Sequence, residues 1–250
     1  MNITIDFESK SYKADLSKPI DISIPISTNE NPIAWYLDMP KIEPVVIDGW
    51  VGSVKEGAVV NFNNIAFNPH AHGTHTESIG HITEKVYNIN NQLKNFFFLA
   101  EVITVAPEIN GEDKIISLKQ LKYLLNGKSP KAVVIRTIPN MREKKTRKWS
   151  HTHWPFIEEA AAIYLRDCGI EHLLVDLPSV DAEEDGGAVK AHKAFWDVSG
   201  KPRLQATITE MIYVPHVVKD GSYLLNLQVA AFENDAAPSR PVLYAIKPIP

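Results

Sequence analysis

The spacing of hydrophobic and polar residues changes period several times along the chain, and each change marks an element. Residues 1–7 alternate apolar and polar positions as a half-buried strand does. The run 20–26 alternates more strictly and places Ile20, Ile22, Ile24 and Ile26 on one face, with Pro25 confining it to a sheet edge. Between Ser27 and Gly52, Pro32, Pro40 and Pro44 break every longer pattern, so this region reads as a loop with a short strand near Val45 to Ile47. Phe96 to Val105 is almost continuously apolar, interrupted by Glu101 and Thr104, as a strand covered on both faces is. The period then becomes helical. Leu118, Leu121, Leu124 and Leu125 form one stripe, Ser117 and Gln120 have capping-box spacing, and Asn126-Gly127 supplies the stop. Ala132 to Thr137 returns to a buried strand, completing a strand, helix, strand unit whose short connections favour a right-handed parallel crossover.

The same alternation continues towards the C-terminus. The loop from Pro139 to Trp154 carries Arg142, Lys144, Lys145, Arg147 and Lys148 and reads as solvated. A helix is expected over 155–168, with Pro155 in its first turn, Glu158 and Glu159 at its positive end and Gly169 as the stop. His172 to Asp176 follows as a short buried strand, and Ala191 to Trp196 as one or two helical turns. The segments 206–214, 223–232 and 241–246 are three closing strands. The class is therefore α/β, in one domain over residues 1–250.

Composition narrows the function without naming it. A hydrophobic content of 44% and a charged content of 22% are those of an ordinary globular chain. A net charge of −4 gives no electrostatic reason to expect nucleic acid or an anionic membrane, which leaves a small-molecule substrate. The single cysteine, Cys168, excludes an internal disulfide and reads as a buried hydrophobe at the end of its helix. With no signal-peptide pattern and no long uncharged apolar run, a cytoplasmic location is expected. Gly127-Lys128-Ser129 imitates the end of a phosphate-binding loop, but Lys122 stands where the earlier glycine belongs.

The candidate chemistry is concentrated between Asn68 and Thr83, where His70, His72, His75, Glu77 and His81 surround Gly73-Thr74. So many imidazole and carboxylate groups are costly to bury unpaired, and a cation, mutual hydrogen bonds or solvent must offset the cost. In an extended backbone His70 shares a face with His72, and His75 with Glu77. Farther on, Asp176 and Asp181 sit at the end of a buried strand where ligand crevices form. Glu210 lies in an apolar strand and needs a partner, for which a metal or a histidine would serve. The pair His151 and His153 has no carboxylate beside it and reads as surface.

Gly73-Thr74-His75-Thr76-Glu77 followed by His81 resembles the HxGTHxDxPxH signature of the cyclase family of metal-dependent hydrolases, which includes kynurenine formamidase and isatin hydrolase. The helix before Cys168, the strand into Asp176, the Pro178-Ser179-Val180-Asp181 turn, His192 and the Glu210 strand follow in that family's order. The resemblance implies a swivelling β/β/α fold with a mixed sheet, flanking helices and a β-rich remainder. It also implies one or two zinc or manganese ions held by His75, Glu77, His192 and Glu210, with His81 as general acid/base, and a homodimer or homotetramer. The implied activity is hydrolysis of a small amide, or of a cyclic amide or ester, by metal-activated water. Three positions depart from the signature: Ala71 replaces its first histidine, Glu77 its aspartate and Ile79 its proline. The missing ligand must then come from His70 or His72, with His70 favoured, and the longer Glu77 carboxylate compensates for the shift. The alternative is a non-catalytic small-molecule-binding protein on the same fold.

Overall fold

The computed structural model describes residues 1–7 and 10–249. Its centre is a mixed sheet to which these strands belong: β1 (Asn2–Phe7), β2 (Lys10–Asp15), β3 (His75–Glu77), β4 (Phe97–Val105), β5 (Ala132–Thr137), β6 (His172–Val175), β7 (Thr207–Glu210), β8 (Gly221–Asn226), β9 (Ala236–Pro238) and β10 (Val242–Pro248). Their order across the sheet is β1-β2-β10-β8-β4-β5-β6-β7-β3-β9, and the two-residue strand Ile20–Asp21 pairs with β10. The middle strands β4, β5, β6 and β7 are mutually parallel, with β8 antiparallel to β4 on one side and β3 antiparallel to β7 on the other. Parallel neighbours require crossovers, and α1 (Leu118–Leu125), α2 (Glu159–Asp167) and α3 (Lys190–Trp196) provide them.

The continuous apolar runs arise because both faces of the parallel block are covered. Val133 and Ile135 of β5 pack with Leu121, Leu125, Leu165, Phe195 and Trp196 on the helical side. Ala132 and Val134 pack on the other side with Ile22, Ile89, Leu174 and Leu225. Helix α1 forms as its sequence requires: the Ser117 side chain accepts from Gln120 N–H, the Gln120 side chain accepts from Ser117 N–H, and Asn126 closes the helix at φ 47°.

Four expectations change. The strand over 20–26 keeps a ladder only at Ile20–Asp21, yet Ile22 and Ile24 are buried as the alternation demands. The reason is that Ile24 N–H donates to the Thr74 hydroxyl at 2.7 Å, so this segment serves the histidine turn instead of a neighbouring strand. The helix expected from Pro155 starts at Glu159, because Phe156–Ile157 pairs as a strand with Ile115–Ile116. Glu158 is then free to accept from Leu118 N–H at 2.9 Å. The basic loop 139–154 is not uniformly solvated: Lys144, Trp149 and Trp154 are buried in it. Finally, residues 41–66 form a two-stranded arm, Lys41–Pro44 against Asn63–Ala66, whose Val46, Ile47, Trp50, Phe62 and Ile65 are exposed.

His172 at the start of β6 gives the fold a pH dependence. Burial, reinforced by Arg203 and Lys131 against the opposing Glu171, pushes its pKa down to about 4. An unfolded histidine titrates near ~6.5 and so takes up its proton first as the pH falls. Above that pH there is no penalty; between ~6.5 and ~4 folding loses up to about 3 kcal/mol from this residue. Urea unfolding at pH 7 and pH 4.5 should therefore show a larger stability loss in the wild type than in His172→Asn. Equal losses would exclude this origin.

Candidate metal centre

Strand β3 carries the signature into the sheet. It lies between β7 and β9, with His75 opposite Glu210 and Pro238, and Glu77 opposite Ile208 and Ala236. All three of its residues are buried. The turn before it is set by Gly73 at φ 155°, where an added Cβ would lie 3.1 Å from Ile24 O. Thr74 locks the same turn, its hydroxyl donating to Met211 O at 2.5 Å. His81 is then brought back over Glu77 by the short turn Ile79–Ile82, capped where Gly80 N–H meets the Ser78 hydroxyl. Gly80 is required here because a Cβ would collide with the Tyr87 carbonyl.

The side chains converge. His70 places Nδ1 3.1 Å from Glu77 Oε2, and its Nε2 lies 2.8 Å from Asp235 Oδ2. His192, on α3, places Nε2 3.0 Å from Glu77 Oε1 and 3.7 Å from Glu210 Oε1. Its Nδ1 meets Asp181 Oδ2 at 2.5 Å. His75 donates from Nδ1 to the Gly73 carbonyl at 3.0 Å, which leaves Nε2 to face Glu210 Oε2 at 3.4 Å. His81 reaches Asp235 Oδ2 from Nδ1 at 3.2 Å, with Nε2 3.8 Å from Glu77 Oε2. Its ring stacks on that of His70 at 4.2 Å.

Four histidines thus share one arrangement: one ring nitrogen is held by a carboxylate or carbonyl, and the other is aimed at the buried glutamates. This is how metal-binding imidazoles are oriented in proteins. Two atoms at the centre, His75 Nε2 and Glu77 Oε2, are buried without a well-formed hydrogen bond: Glu210 Oε2 lies 3.4 Å from the first and His70 Nδ1 3.1 Å from the second. A buried carboxylate oxygen and a buried imidazole nitrogen so poorly paired are costly, and a cation between them would remove both costs. Donor atoms of His70, His75 and Glu77 lie within 4.8 Å of one another, as do those of Glu77, His81 and His192 and those of His70, His81 and Asp235. The mixture of imidazole and carboxylate suits a divalent transition metal.

Electrostatics in the protein without metal follow from this crowding. Burial opposes protonation of His70, but the Asp235 and Glu77 carboxylates beside its two ring nitrogens outweigh it and hold its pKa up at about 10. For His192, burial is likewise overcome by Asp181, Glu77 and Glu210, and its pKa stands well above the usual histidine value. Burial would raise Glu77, but the His81 charge and the bonds from His192 and His70 hold it well below the usual carboxylate range.

Of the residues expected from the sequence, His70, His75, Glu77, His81, His192 and Glu210 are together. His72 is not. Its Nδ1 accepts from Asn68 N–H at 2.8 Å and its Nε2 donates to Asp38 O at 2.8 Å, so neither nitrogen is free. Ala71 is fully buried, its N–H donating to Asn68 O and its carbonyl accepting from Ala34 N–H. Asp176 also lies apart, bonded to Thr137 and Lys144. Asp235 was not foreseen. It precedes β9 with no periodic or motif signal around it, and only the pairing of β9 with β3 brings it to His70 and His81. Trp35 and Trp154 meet edge to face at 5.1 Å, whereas Trp50 packs on Phe62 in the arm.

Comparison with known proteins bears on the fold and the family. A structure described as a potential metal-dependent hydrolase with cyclase activity is 20% identical, covers 91% of this chain and 98% of its own, and superposes with a TM-score of 0.64. A predicted metal-dependent hydrolase from Bacillus stearothermophilus is 19% identical over 91% of this chain and 98% of that one, at 0.65. An isatin hydrolase bound to the product analogue thioisatinate is 14% identical over 92% and 93%, at 0.66. At these identities the likeness establishes the fold. A search of curated proteins gave no match. The sequence profile of the Cyclase family matches residues 15–182, more than half of the chain, and the protein belongs to that family.

Proposed function

We propose that this protein is a metal-dependent hydrolase of a small amide, or of a cyclic amide or ester, of the arylformamidase or isatin hydrolase type. The observation that carries the reading is the pair of buried atoms without a well-formed hydrogen bond, His75 Nε2 and Glu77 Oε2, at the point where four oriented histidines converge. His70, His75, Glu77, His192 and Glu210 would hold zinc or manganese. The cation supplies Lewis acidity, which polarises a carbonyl and acidifies water. Asp235 and Asp181 keep His70 and His192 in the tautomers whose free nitrogens face inward. His81 is the proton carrier: it is the most exposed ring of the cluster, at 32%, and Asp235 at its Nδ1 directs Nε2 towards Glu77. A proton can therefore pass between the site and solvent on one side chain.

The test is metal analysis of the purified protein together with a hydrolysis screen of aryl formamides, lactams and lactones. Zinc or manganese at one or two equivalents, with turnover lost on chelation and restored by metal, is the expected result. A folded protein that binds such compounds without turnover would establish the non-catalytic alternative. Chelation should also lower stability, by about 2.7 kcal/mol if the free metal stood at a hundred times its dissociation constant.

We also infer self-association as a homodimer or homotetramer. The arm over 41–66 exposes Val46, Ile47, Trp50, Phe62 and Ile65, an apolar surface that a monomer would leave in water. Sedimentation of wild type and of Val46→Glu/Phe62→Glu should show an oligomer and a monomer respectively. A monomeric wild type would refute the inference.

A further inference from the structure

We propose that the cavity at the carboxyl ends of β4, β5 and β6 is a binding site for a small carboxylate with an aromatic or apolar body. Its volume is about 320 Å³, and it is lined by Pro107 just beyond β4, by Thr137 to Pro139 at the end of β5 and by Leu177 beyond β6. The carboxyl edge of a parallel block is where open α/β sheets hold ligands, and small-molecule sites span about 300–1,000 Å³.

Its walls are apolar: Ile109, Ile138, Leu177 and the indoles of Trp149 and Trp154 line it, each indole 2% exposed. Its charge is positive, because Lys114, Lys144 and Arg147 line it and no carboxylate does. Lys144 is already neutralised, its Nζ donating to Asp176 Oδ2 at 2.7 Å. Lys114 and Arg147 form no ion pair among the described residues. The Arg147 guanidinium sits 4.5 Å from the centre of the Trp149 ring, which holds its planar fork at the cavity. The lining hydroxyls are spent elsewhere: Thr137 donates to Asp176 Oδ1 and Thr152 to Trp149 O. Besides the exposed His153 ring, recognition is left to two cations over aromatic walls, and a fork with one further ammonium matches a single carboxylate. A phosphate would bring more charge and leave the apolar walls unused.

The cavity adjoins the histidine cluster without belonging to it. Trp154 donates from its indole nitrogen to Asp181 O at 2.9 Å, and the Asp181 carboxylate holds His192. The carboxylate site does not rest on the hydrolase reading and is tested without turnover.

Benzoate titrated into the full chain, followed by tryptophan fluorescence and calorimetry, is the experiment, with benzamide and inorganic phosphate as comparisons. Saturable benzoate binding is expected, about tenfold or more weaker in Lys114→Gln/Arg147→Gln, and benzamide should be weaker than benzoate by a similar factor. Both substituted residues are exposed, so the fold is retained. Glu77→Gln should bind benzoate as the wild type does. No saturable binding, equal affinity for benzamide, tighter binding of phosphate, or an unchanged affinity in the double variant would each overturn the proposal. Loss of benzoate binding in Glu77→Gln would assign the ligand to the histidine cluster instead.

Discussion

Glu77→Gln is expected to remove the bound metal and to lower hydrolysis by about three orders of magnitude, while leaving a folded protein. The side chain keeps its volume, so the strand between β7 and β9 stays packed. What disappears is the carboxylate shared by His192 Nε2 at 3.0 Å and His70 Nδ1 at 3.1 Å. An amide presents only one oxygen and carries no charge, so the cation loses the one ligand common to both histidines. Several kcal/mol of transition-state stabilisation depend on a catalytic metal, and each 1.36 kcal/mol is tenfold in rate. Metal content by mass spectrometry and kcat on whichever formamide, lactam or lactone the screen identifies would be measured together. Retention of both metal and activity would remove Glu77 from the centre. Glu77→Asp restores the residue usual in the signature but withdraws the carboxylate by one methylene from His70, and should fall between the two.

The second large effect lies away from the cluster. Lys144→Met is expected to cost about 3–5 kcal/mol, because it leaves the Asp176 carboxylate buried without its cation. Lys144 Nζ donates to Asp176 Oδ2 at 2.7 Å, and to Thr137 O and Thr137 Oγ1 at 2.8 Å each. Asp176 is 1% exposed, and burial already pushes its pKa up against the opposing Lys144 charge and Thr137 bonds. For a chain of this size the cost corresponds to a fall in Tm of about 6–20 °C. The direction with pH follows from the same residue. A carboxyl whose folded pKa is raised gains stability as the pH falls towards its unfolded value, so the deficit of Lys144→Met should shrink between pH 7 and pH 4. Lys144→Met/Asp176→Leu, which removes both charges, should recover most of the loss. A deficit that is independent of pH and persists in the double variant would mean that Lys144 acts through packing alone.

Much of the histidine cluster is legible in one stretch because its donors alternate along a strand and its turn. His75 and Glu77 share a face by the period of β structure, and His81 returns through a turn that only Gly80 permits. Choosing between His70 and His72 was beyond local reasoning. The two differ in what approaches them from elsewhere: Asp235 comes to His70 from the strand beside β3, and Asp38 O to His72 from the loop before the arm. Lys144 was hidden for a related reason. Among five cations in sixteen residues nothing distinguishes the one that meets Asp176, since that partner arrives from another strand.

The amino-acid pattern by itself determined the α/β class, the buried parallel strands, the capped helix α1 and the residues whose chemistry demands a partner. These follow from short-range causes: side-chain period, capping hydrogen bonds, and the cost of burying charge. Only the tertiary structure decided which partners meet, that Ala71 is sealed by backbone contacts, that Pro155 precedes a strand, and that two cations face an aromatic cavity beside the histidines. Those outcomes depend on strand order across the sheet. Residues 75 and 210 become neighbours, and Asp235 reaches the same cluster, because β3 inserts between β7 and β9, a long-range pairing that no local sequence window encodes, while His192 comes to it from α3.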